Sequence, residues 1–415
     1  MIQRAKGTQD FLDLELYNFL QETTRTHLAN YAFTQIATPI IEPVELFKRS
    51  LGLHTDVASK EMYYATTGQE TGEPTLCLRP EATASTMRAY FNNKVQQQPW
   101  KVFSSGPMFR HERPQKGRYR QFHQTTIELL GAESVAYDAE LIAMLERLFS
   151  DTLELDYALM INYLGSPQDR ENYKTVLAQF LDNLPHVPAK IAELQNKNIL
   201  RIFDLKDPEC QKVLAQAPHI TDHLSEESQA EWQQLQTYLD LLNVSYTCNP
   251  RLVRGLDYYN NTVFEFVSND LGAQNAFCGG GRYDYLSQTL GEKHALPALG
   301  AAFGIDRILL MLEQQQKGQI PAQKPVHVVV PCSAKQTALA LLLADELRAH
   351  NLCCDVLLDE ASIKSKMRKA NKLGACYVLL LGDEEQQNNF VTVKNMTQGT
   401  EEQVSQSKIA HHLSC

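Results

Sequence analysis

The sequence predicts an α+β protein with a largely antiparallel sheet in its main domain and a smaller α/β domain at its C-terminus. Strand-like segments separated by loops of uneven length favour antiparallel pairing over a doubly wound sheet. They lie at 75–79, 101–104 and 122–130. Residues 168–243 lack glycine and are predicted to be helical. From residue 326 onward, strand and helix patterns alternate.

The elements of the main domain follow from the spacing of apolar residues. Residues 14–32 carry apolar side chains at helical intervals, and the β-rich run at 33–47 is interrupted by two prolines. A further helix is predicted at 138–152. Strand-rich sequence resumes after the helical stretch at 168–243, so we interpret that stretch as an insertion within a domain spanning residues 1–320.

A second domain is predicted over residues 326–415. The polar segment at 313–325 contains glycine and two prolines, which is typical of a linker. An α/β domain of about 90 residues is of common size. The pattern predicts strands at 326–331, 353–358, 376–381 and 390–394, and helices at 334–350, 361–373 and 402–413.

Composition indicates an ordinary globular protein. The chain has 415 residues, of which 43% are hydrophobic and 21% charged. Its longest apolar runs are too short to span a bilayer, and its first residues lack the apolar segment of a secretion signal. Nine scattered cysteines without a C-x-x-C pair disfavour a disulfide framework or a zinc site. We therefore expect a cytoplasmic protein with no membrane contact and no dedicated metal site.

Arginines are concentrated between two predicted strands, in "FRHERPQKGRYRQFHQTTIEL" at 109–129. A solvated hairpin tip would need only Gly117 and polar neighbours. The guanidinium fork grips phosphate through paired hydrogen bonds, so phosphate or nucleic-acid contact is the favoured interpretation. The net charge of −10 argues against a protein that coats nucleic acid non-specifically, but it is a sum over the whole chain and is compatible with local basic patches. A second basic patch, at 362–372, is a weaker candidate for RNA contact.

Three other motifs carry candidate site residues. Glu81 in "CLRPEATAST" caps the helix that follows or receives a substrate amine, and capping is favoured. Arg307 lies near the start of a predicted helix, where a cation is unfavourable unless an anion is bound beside it. The glycines of "FCGGGRYDYL" at 277–286 indicate a bend that faces a ligand, or a bulge, and do not match a dinucleotide or P-loop fingerprint.

Taken together, the motifs resemble those of the bacterial type of histidyl-tRNA synthetase. This family belongs to the class II aminoacyl-tRNA synthetases. "KGTQDFL" is similar to the N-terminal signature, and residues 38–63 resemble motif 1, which the family uses at its dimer interface. "FRHERPQKGRYRQFHQ" resembles motif 2 and "GAAFGIDRILLML" motif 3, both general to class II. "LVRGLDYYNNTVFEF" and "CGGGRYD" resemble the two histidine-specific motifs.

The resemblance implies a role for each matching residue. The expected catalytic residues are Arg110 and Arg254 on the α-phosphate of ATP and Arg307 on the γ-phosphate, since fixed cations stabilise charge developing on phosphorus. Arg118 and Tyr119 would close over adenine, completing the ATP site. Histidine would be bound by Glu81, Thr83, Gln124, Glu128, Arg254, Tyr258 and Tyr259. Arg113 and Gln115 would contact the tRNA acceptor end. Asp257 is expected to orient Arg254 or a tyrosine.

The implied activity is that of a histidine–tRNA ligase. Histidine and ATP, with Mg²⁺, would give histidyl-adenylate and pyrophosphate, and the adenylate would then be transferred to the 3′ end of tRNA(His). The family resemblance also implies a homodimer, a C-terminal domain that reads the anticodon and an insertion that contacts the acceptor arm. Ala82, Thr126 and Tyr285 stand where the family usually has glycine. A histidine-sensing paralogue without catalysis, like the regulatory subunit of ATP phosphoribosyltransferase, is disfavoured because all three arginines and the extra domain are present.

Overall fold

The computed structural model describes residues 2–52, 55–66, 72–195, 199–272, 275–315 and 325–414. The chain forms two compact units, Met1–Ile320 and Pro321–Cys415. Most of the predicted linker at 313–325 lies outside the described residues. In the part of the chain that is described, no helix is both long and apolar enough to cross a membrane.

The first unit is built on a large sheet and a small one. Its strands are β1 (Thr34–Gln35), β2 (Ile41–Pro43), β3 (Tyr63–Ala65), β4 (Leu76–Leu78), β5 (Trp100–Phe109), β6 (Gln121–Leu130), β7 (Ala158–Tyr163), β8 (Thr247–Cys248), β9 (Asn260–Val267), β10 (Ala276–Arg282) and β11 (Ala298–Gly304). The large sheet has the order β1-β5-β6-β11-β10-β9-β7-β8, and the small sheet β2-β4-β3. In the large sheet the β1–β5 and β7–β8 pairs are parallel and the other pairs antiparallel. The predicted fold class is confirmed.

Helices pack on this sheet and lie between its strands in the order of the chain. They are α1 (Glu15–Asn30), α2 (Val44–Leu51), α3 (Thr83–Asn92), α4 (Ala136–Arg147), α5 (Pro167–Asp182), α6 (Ala189–Gln195), α7 (Pro208–Leu214), α8 (Glu226–Leu241), α9 (Leu286–Thr289) and α10 (Ile305–Gln315). The helix predicted at 138–152 consists of α4 followed by a π-helical turn at Leu148–Thr152.

The stretch between β7 and β8 is helical, as its glycine-free sequence predicts. It contains α5 to α8 and two 3-10 turns, Ile199–Asp204 and Ile220–His223. One buried carboxylate, Asp169, joins the starts of two helices. It accepts hydrogen bonds from the Ser166 backbone at the start of α5 and from the Ser225 backbone at the start of α8, both at 2.9 Å. Capping by side-chain oxygens satisfies backbone N–H groups that have no partner within the helix.

The core of the large sheet is strongly aromatic. The ring of Phe149 lies edge-on to those of Phe266, Phe277 and Phe303, with centroids 4.9 to 5.7 Å apart. Phe264 and Phe266 on β9 are both fully buried. Since side chains alternate along a strand, burying these two residues turns the intervening Glu265 to the opposite face of the sheet. That face carries the candidate site.

The second unit is an α/β domain. Its elements are β12 (Val326–Pro331), α11 (Thr337–Ala349), β13 (Cys353–Val356), α12 (Ile363–Lys372), β14 (Ala375–Leu381), α13 (Asp383–Asn388), β15 (Phe390–Asn395), β16 (Glu401–Ser405) and α14 (Ile409–Ser414). Its sheet has the order β13-β12-β14-β15-β16. The helix predicted at 402–413 is wrong in its first part, which is strand β16. Pairing of Val391 with Val404 in the β15–β16 hairpin outweighs the weak local helical spacing.

Candidate active site

Arg110 lies at the end of β5, where the chain leaves the sheet. β5 and β6 pair until Phe109 meets Gln121, so residues 110–120 form the arm that joins them. The Nε of Arg110 donates to the Pro80 carbonyl at 2.9 Å, and its guanidinium lies 5.3 Å from the centre of the Phe122 ring. Desolvation in the cleft lowers the pKa of Arg110. A desolvated cation held in this way favours an anionic ligand.

Arg254 reaches the same cleft from the loop before β9. Its guanidinium forms an ion pair with Glu265 and lies 5.7 Å from the ring centre of Tyr259. Burial acts to lower the pKa of Arg254, but the carboxylate of Glu265, together with the nearby groups of Tyr259, Tyr258 and Cys278, raises it by more in total. The guanidinium lies flat against β10, where a Cβ on Gly279 would come within 2.7 Å of its central carbon. Glycine is therefore required at 279 for Arg254 to occupy this position.

Arg307 is held at the start of α10. Its Nε donates to the Gly117 carbonyl at 3.2 Å, and its Nη1 donates to the Ala276 carbonyl. Desolvation lowers its pKa, and the nearby cations Arg118 and Arg110 lower it further. Like charges gathered in one cleft repel each other, and a bound polyanion would relieve that repulsion.

Two adjoining cavities contain these arginines. The larger, of about 310 Å³, and the smaller, of about 230 Å³, share residues of motif 2, Arg254 and Gly279. Residues lining the larger one include Glu81, Thr83, Arg110, Gln124, Arg254, Tyr258 and Tyr259. Residues lining the smaller one include Arg110, Arg118, Tyr119, Phe122, Arg254 and Arg307. Arg110, Arg118 and Arg254 thus lie where the two cavities meet.

Glu81 combines the two interpretations that its motif allowed. Its carboxylate accepts hydrogen bonds from the backbone N–H groups of Thr83 at 2.6 Å and Ala84 at 3.0 Å, so it caps α3. It also lines the larger cavity beside Thr83. Burial raises the pKa of Glu81, while its two backbone donors act against that rise. Capping fixes the carboxylate in place, and its position in the cavity leaves it able to meet a bound cation.

Glu128 lies on β6, two residues along the strand from Thr126, which lines the larger cavity. Glu128 is 1% exposed, accepts a hydrogen bond from the hydroxyl of Tyr283, and interacts with the side chain of Thr83. Burial raises the pKa of Glu128 to about 8. The rings of Tyr258 and Tyr259 are tilted against each other with 4.6 Å between their centres, and Tyr283 meets Tyr258 edge-on at 5.6 Å. A buried carboxyl among tyrosines suits a small ring that has hydrogen-bonding nitrogens.

The arm between β5 and β6 divides the remaining predicted residues. Arg118 forms an ion pair with Glu112, and Tyr119 lines the smaller cavity. Gly117, with φ +72°, turns the chain so that the backbones of Gln115 and Arg118 bond to each other. Arg113 and Gln115 are exposed on this arm and line neither cavity.

The three departures from the family pattern lie in different places. Ala82 and Thr126 line the larger cavity. Tyr285 is 39% exposed at the start of α9 and lines neither cavity. A methyl group and a small hydroxyl therefore shape the pocket, whereas the tyrosine lies away from it.

Four residues near the site are not among those predicted from the motifs. Glu265 is the ion-pair partner of Arg254, and Tyr283 is the donor to Glu128. Arg201 and Asp204, from a 3-10 turn of the insertion, line the larger cavity. Strand alternation between the two buried phenylalanines of β9 could have indicated Glu265. No local pattern connects the insertion to the cavity.

The described residues contain no group of three or more His, Cys, Asp or Glu side chains placed to hold a metal ion. The site instead presents cations, carboxylates and tyrosines on one face of an antiparallel sheet, and the fold adds a separate α/β unit. These features define a class II aminoacyl-tRNA synthetase.

Comparisons with known proteins specify the family. The family model described as histidyl-tRNA synthetase matches residues 13–308, and the model for an anticodon binding domain matches residues 327–415. The histidine–tRNA ligase of Laribacter hongkongensis is 40% identical over 99% of this chain and 98% of its own. That of Halothermothrix orenii is 38% identical over 99% of both. The crystal structure of apo S. aureus histidyl-tRNA synthetase is 31% identical, with a TM-score of 0.82 over 100% of both chains.

The chain belongs to the histidyl-tRNA synthetase family. It is an aminoacyl-tRNA synthetase with the activity of a histidine–tRNA ligase, and its substrates are histidine, ATP and tRNA. The family and activity predicted from the sequence motifs are confirmed.

Proposed function

We propose that the larger cavity binds histidine, that the smaller one binds ATP, and that adenylate forms where they meet. The observation that carries this assignment is the position of Arg110 and Arg254, which line both cavities at once. The histidine carboxylate would attack the α-phosphorus between them, forming a P–O bond as the bond to pyrophosphate breaks. Cations fixed before the reaction stabilise the charge that develops on the phosphoryl oxygens. Arg307 would hold the γ-phosphate in the smaller cavity.

Recognition of histidine falls to the tyrosines and the buried carboxyl. Glu81 and Thr83 would receive the α-amino group, with Gln124 completing the pocket. Glu128, Tyr258 and Tyr259 would contact the imidazole, whose nitrogens can form hydrogen bonds with the buried carboxyl. Arg118 and Tyr119 would close over adenine.

We assign the remaining partners by their chemistry. Mg²⁺ would enter as part of the ATP substrate and be held by its phosphates, since Mg²⁺ keeps several waters and needs few protein ligands. Arg113 and Gln115 are exposed on the motif 2 arm, where they would meet the tRNA acceptor end. The second unit would bind the anticodon and the insertion would contact the acceptor arm. Free cysteines among the described residues suit a reducing cytoplasm.

The small sheet supports a homodimer. Ile41 is 52% exposed and Leu76 is 38% exposed, and both lie on one face of this sheet with Pro43. An apolar face of this kind is typical of an interface between subunits. We propose that the face pairs with its copy in a second chain.

Pyrophosphate exchange tests the assignment of Arg254. Histidine-dependent exchange in Arg254→Ala is expected to fall by about 100-fold or more, because one preorganised charge is lost at the reacting phosphate. Removing Arg254 leaves Glu265 without its partner, so the variant is paired with Arg254→Ala/Glu265→Gln, which removes both charges. Arg251→Ala, an exposed neighbour on the same loop, is the matched control and should exchange normally.

Arg254→Ala and Arg254→Ala/Glu265→Gln should both have low exchange activity and keep the Tm and circular dichroism spectrum of the wild type. Exchange at the wild-type rate in Arg254→Ala would refute the role. Recovery of exchange in the double variant would show that the unpaired Glu265, and not the missing cation, caused the loss. Absence of histidine-dependent exchange in the wild type itself would instead favour a histidine-sensing protein.

A further inference from the structure

Asp257 lies where three separate segments of the chain meet. Its carboxylate pairs with Arg201 of the 3-10 turn Ile199–Asp204 in the insertion, with 3.5 Å between Oδ1 and Nε. It also packs against the end of α2, where a Cβ on Gly52 would come within 2.6 Å of Oδ2. Both partners lie far from Asp257 in the sequence. The aspartate in the histidine-specific motif thus connects the motif to the insertion.

Two arginines of the insertion hold the backbone of that motif. Arg201 Nη2 donates to the Gly255 carbonyl at 3.2 Å, so Arg201 contacts both a backbone carbonyl and the side chain of Asp257. Arg170 on α5 donates from Nη1 to the Tyr259 carbonyl at 2.6 Å. Arg201 is well shielded, with 16% of its side chain exposed. The insertion therefore holds the motif near both of its ends.

The motif has little regular structure to fix its shape. Residues 252–259 form neither helix nor strand, and pairing within the sheet begins at Asn260. This loop carries Arg254, Tyr258 and Tyr259 into the larger cavity. A loop without a backbone ladder depends on side-chain contacts to keep one conformation.

We propose that Arg201 is a positioning residue for histidine binding, which holds the loop 252–259 in the shape that the histidine pocket requires. This inference rests on the proposed use of the larger cavity for histidine. Arg201 acts through Gly255 and Asp257 on the tyrosines that follow them. The insertion is thereby part of the amino-acid pocket, and a displacement of the insertion changes the affinity for histidine.

Steady-state pyrophosphate exchange separates this role from a general structural one. In Arg201→Ala the KM for histidine is expected to rise about tenfold, since one hydrogen bond and one partly shielded ion pair are lost. The KM for ATP should stay within about twofold, because Arg254, the residue of this loop that lines both cavities, is anchored separately by its ion pair with Glu265 on β9. Arg201→Lys keeps the charge and should recover part of the histidine affinity.

A double-mutant cycle with Asp257→Ala tests the connection directly. If Arg201 acts through Asp257, the double variant raises the KM for histidine by less than the product of the two single effects. Lys212→Ala, an exposed lysine on α7 of the same insertion, is the control and should leave both KM values unchanged.

Three results would overturn the inference while leaving the proposed function intact. The first is an unchanged KM for histidine in Arg201→Ala, and the second is an equal rise in the KM values for histidine and ATP. The third is a lowered Tm with a loss of kcat that Arg201→Lys does not restore. Failure of the wild type to activate histidine would instead overturn the proposed function.

Discussion

At the residue scale, Glu128 shows how burial sets the chemistry of the pocket. The carboxyl is surrounded by tyrosines and by Thr83, and desolvation raises its pKa to about 8 from an ordinary value of 4.5. A pKa of about 8 keeps most of the Glu128 carboxyl protonated at pH 7 in the substrate-free protein. A neutral carboxyl can both donate and accept a hydrogen bond, which suits an imidazole with one donor and one acceptor nitrogen.

This pKa predicts how stability depends on pH. Between pH 4.5 and 8 the unfolded chain has an ionised Glu128, whereas the folded chain keeps it protonated. The stability that the neutral carboxyl contributes is full below pH 4.5 and is lost as pH rises toward 8. Glutamine does not titrate, so Glu128→Gln should not show this loss. As pH increases from 4.5 toward 8, the free energy of unfolding of Glu128→Gln should therefore increase relative to that of the wild type, by at most about 1.4 kcal/mol per pH unit.

Urea unfolding of the substrate-free proteins at several pH values between 5 and 8 measures the difference. A difference between Glu128→Gln and the wild type that stays constant over that range would mean that Glu128 is ionised in the folded protein.

At the element scale, β10 explains the run of three glycines. It pairs with β11 and β9 along its length, with a register shift between Gly281 and Arg282. The glycines therefore serve two purposes that the sequence left open. Gly279 leaves room for Arg254, and the end of the run carries a bulge. Close backbone approach and irregular strand geometry are the usual reasons for glycine inside a strand.

Adjacent glycines should respond differently to alanine. A Cβ on Gly279 would meet the guanidinium at the far end of the Arg254 side chain, so Gly279→Ala is expected to fold and to lose about 100-fold in histidine-dependent exchange as the cation is displaced. A Cβ on Gly280 would meet the backbone of Gly300 and the ring of Phe264. Gly280→Ala should therefore lower stability by about 1–3 kcal/mol, the typical cost of overpacking.

Thermal unfolding and pyrophosphate exchange on both variants check this pair. Full exchange in Gly279→Ala, or a Tm for Gly280→Ala equal to that of the wild type, would show that the strand shifts to admit the methyl group.

At the scale of the whole molecule, the small sheet has one face that the described chain leaves uncovered. β2 and β4 turn Cys77 inward, where it is fully buried, and turn Ile41 and Leu76 outward. The strand period of two requires such a division, because neighbouring residues point to opposite faces. The side chains on the outer face are apolar, which is costly in water without a partner surface.

A charge on this face should prevent association. If the proposed homodimer forms through this face, Ile41→Glu should sediment as a monomer where the wild type sediments as a dimer, since burying an unpaired carboxylate at an interface is strongly unfavourable. Leu342→Glu, on an exposed site of α11 in the second unit, is the matched control because Leu342 is 69% exposed. If Ile41→Glu and the wild type both sediment as dimers at the same protein concentration, the interface lies elsewhere.

The sequence by itself determined the class of fold and most of the chemistry gathered in the cleft. Strand-like segments with uneven loops predicted the antiparallel sheet, a glycine-free helical stretch predicted the insertion, and alternating strand and helix patterns predicted most of the second unit. Each of these signals lies within a short segment of the chain. Clustered arginines and the histidine-specific motifs indicated which residue types the site would hold. The structure brings these predicted residues together around two adjoining cavities, except for Glu128, which lines neither cavity, and Arg113 and Gln115, which are exposed on the motif 2 arm.

Only the tertiary structure decided which distant residues meet. The pairing of Arg201 with Asp257, the ion pair between Arg254 and Glu265, and the strand at Glu401–Ser405 all depend on contacts across the fold. A local pattern reports the period and polarity of a segment, whereas a long-range contact depends on how whole elements pack. Asp257 illustrates the difference, because its sequence neighbours suggested Arg254 or a tyrosine and the fold supplied an arginine from the insertion.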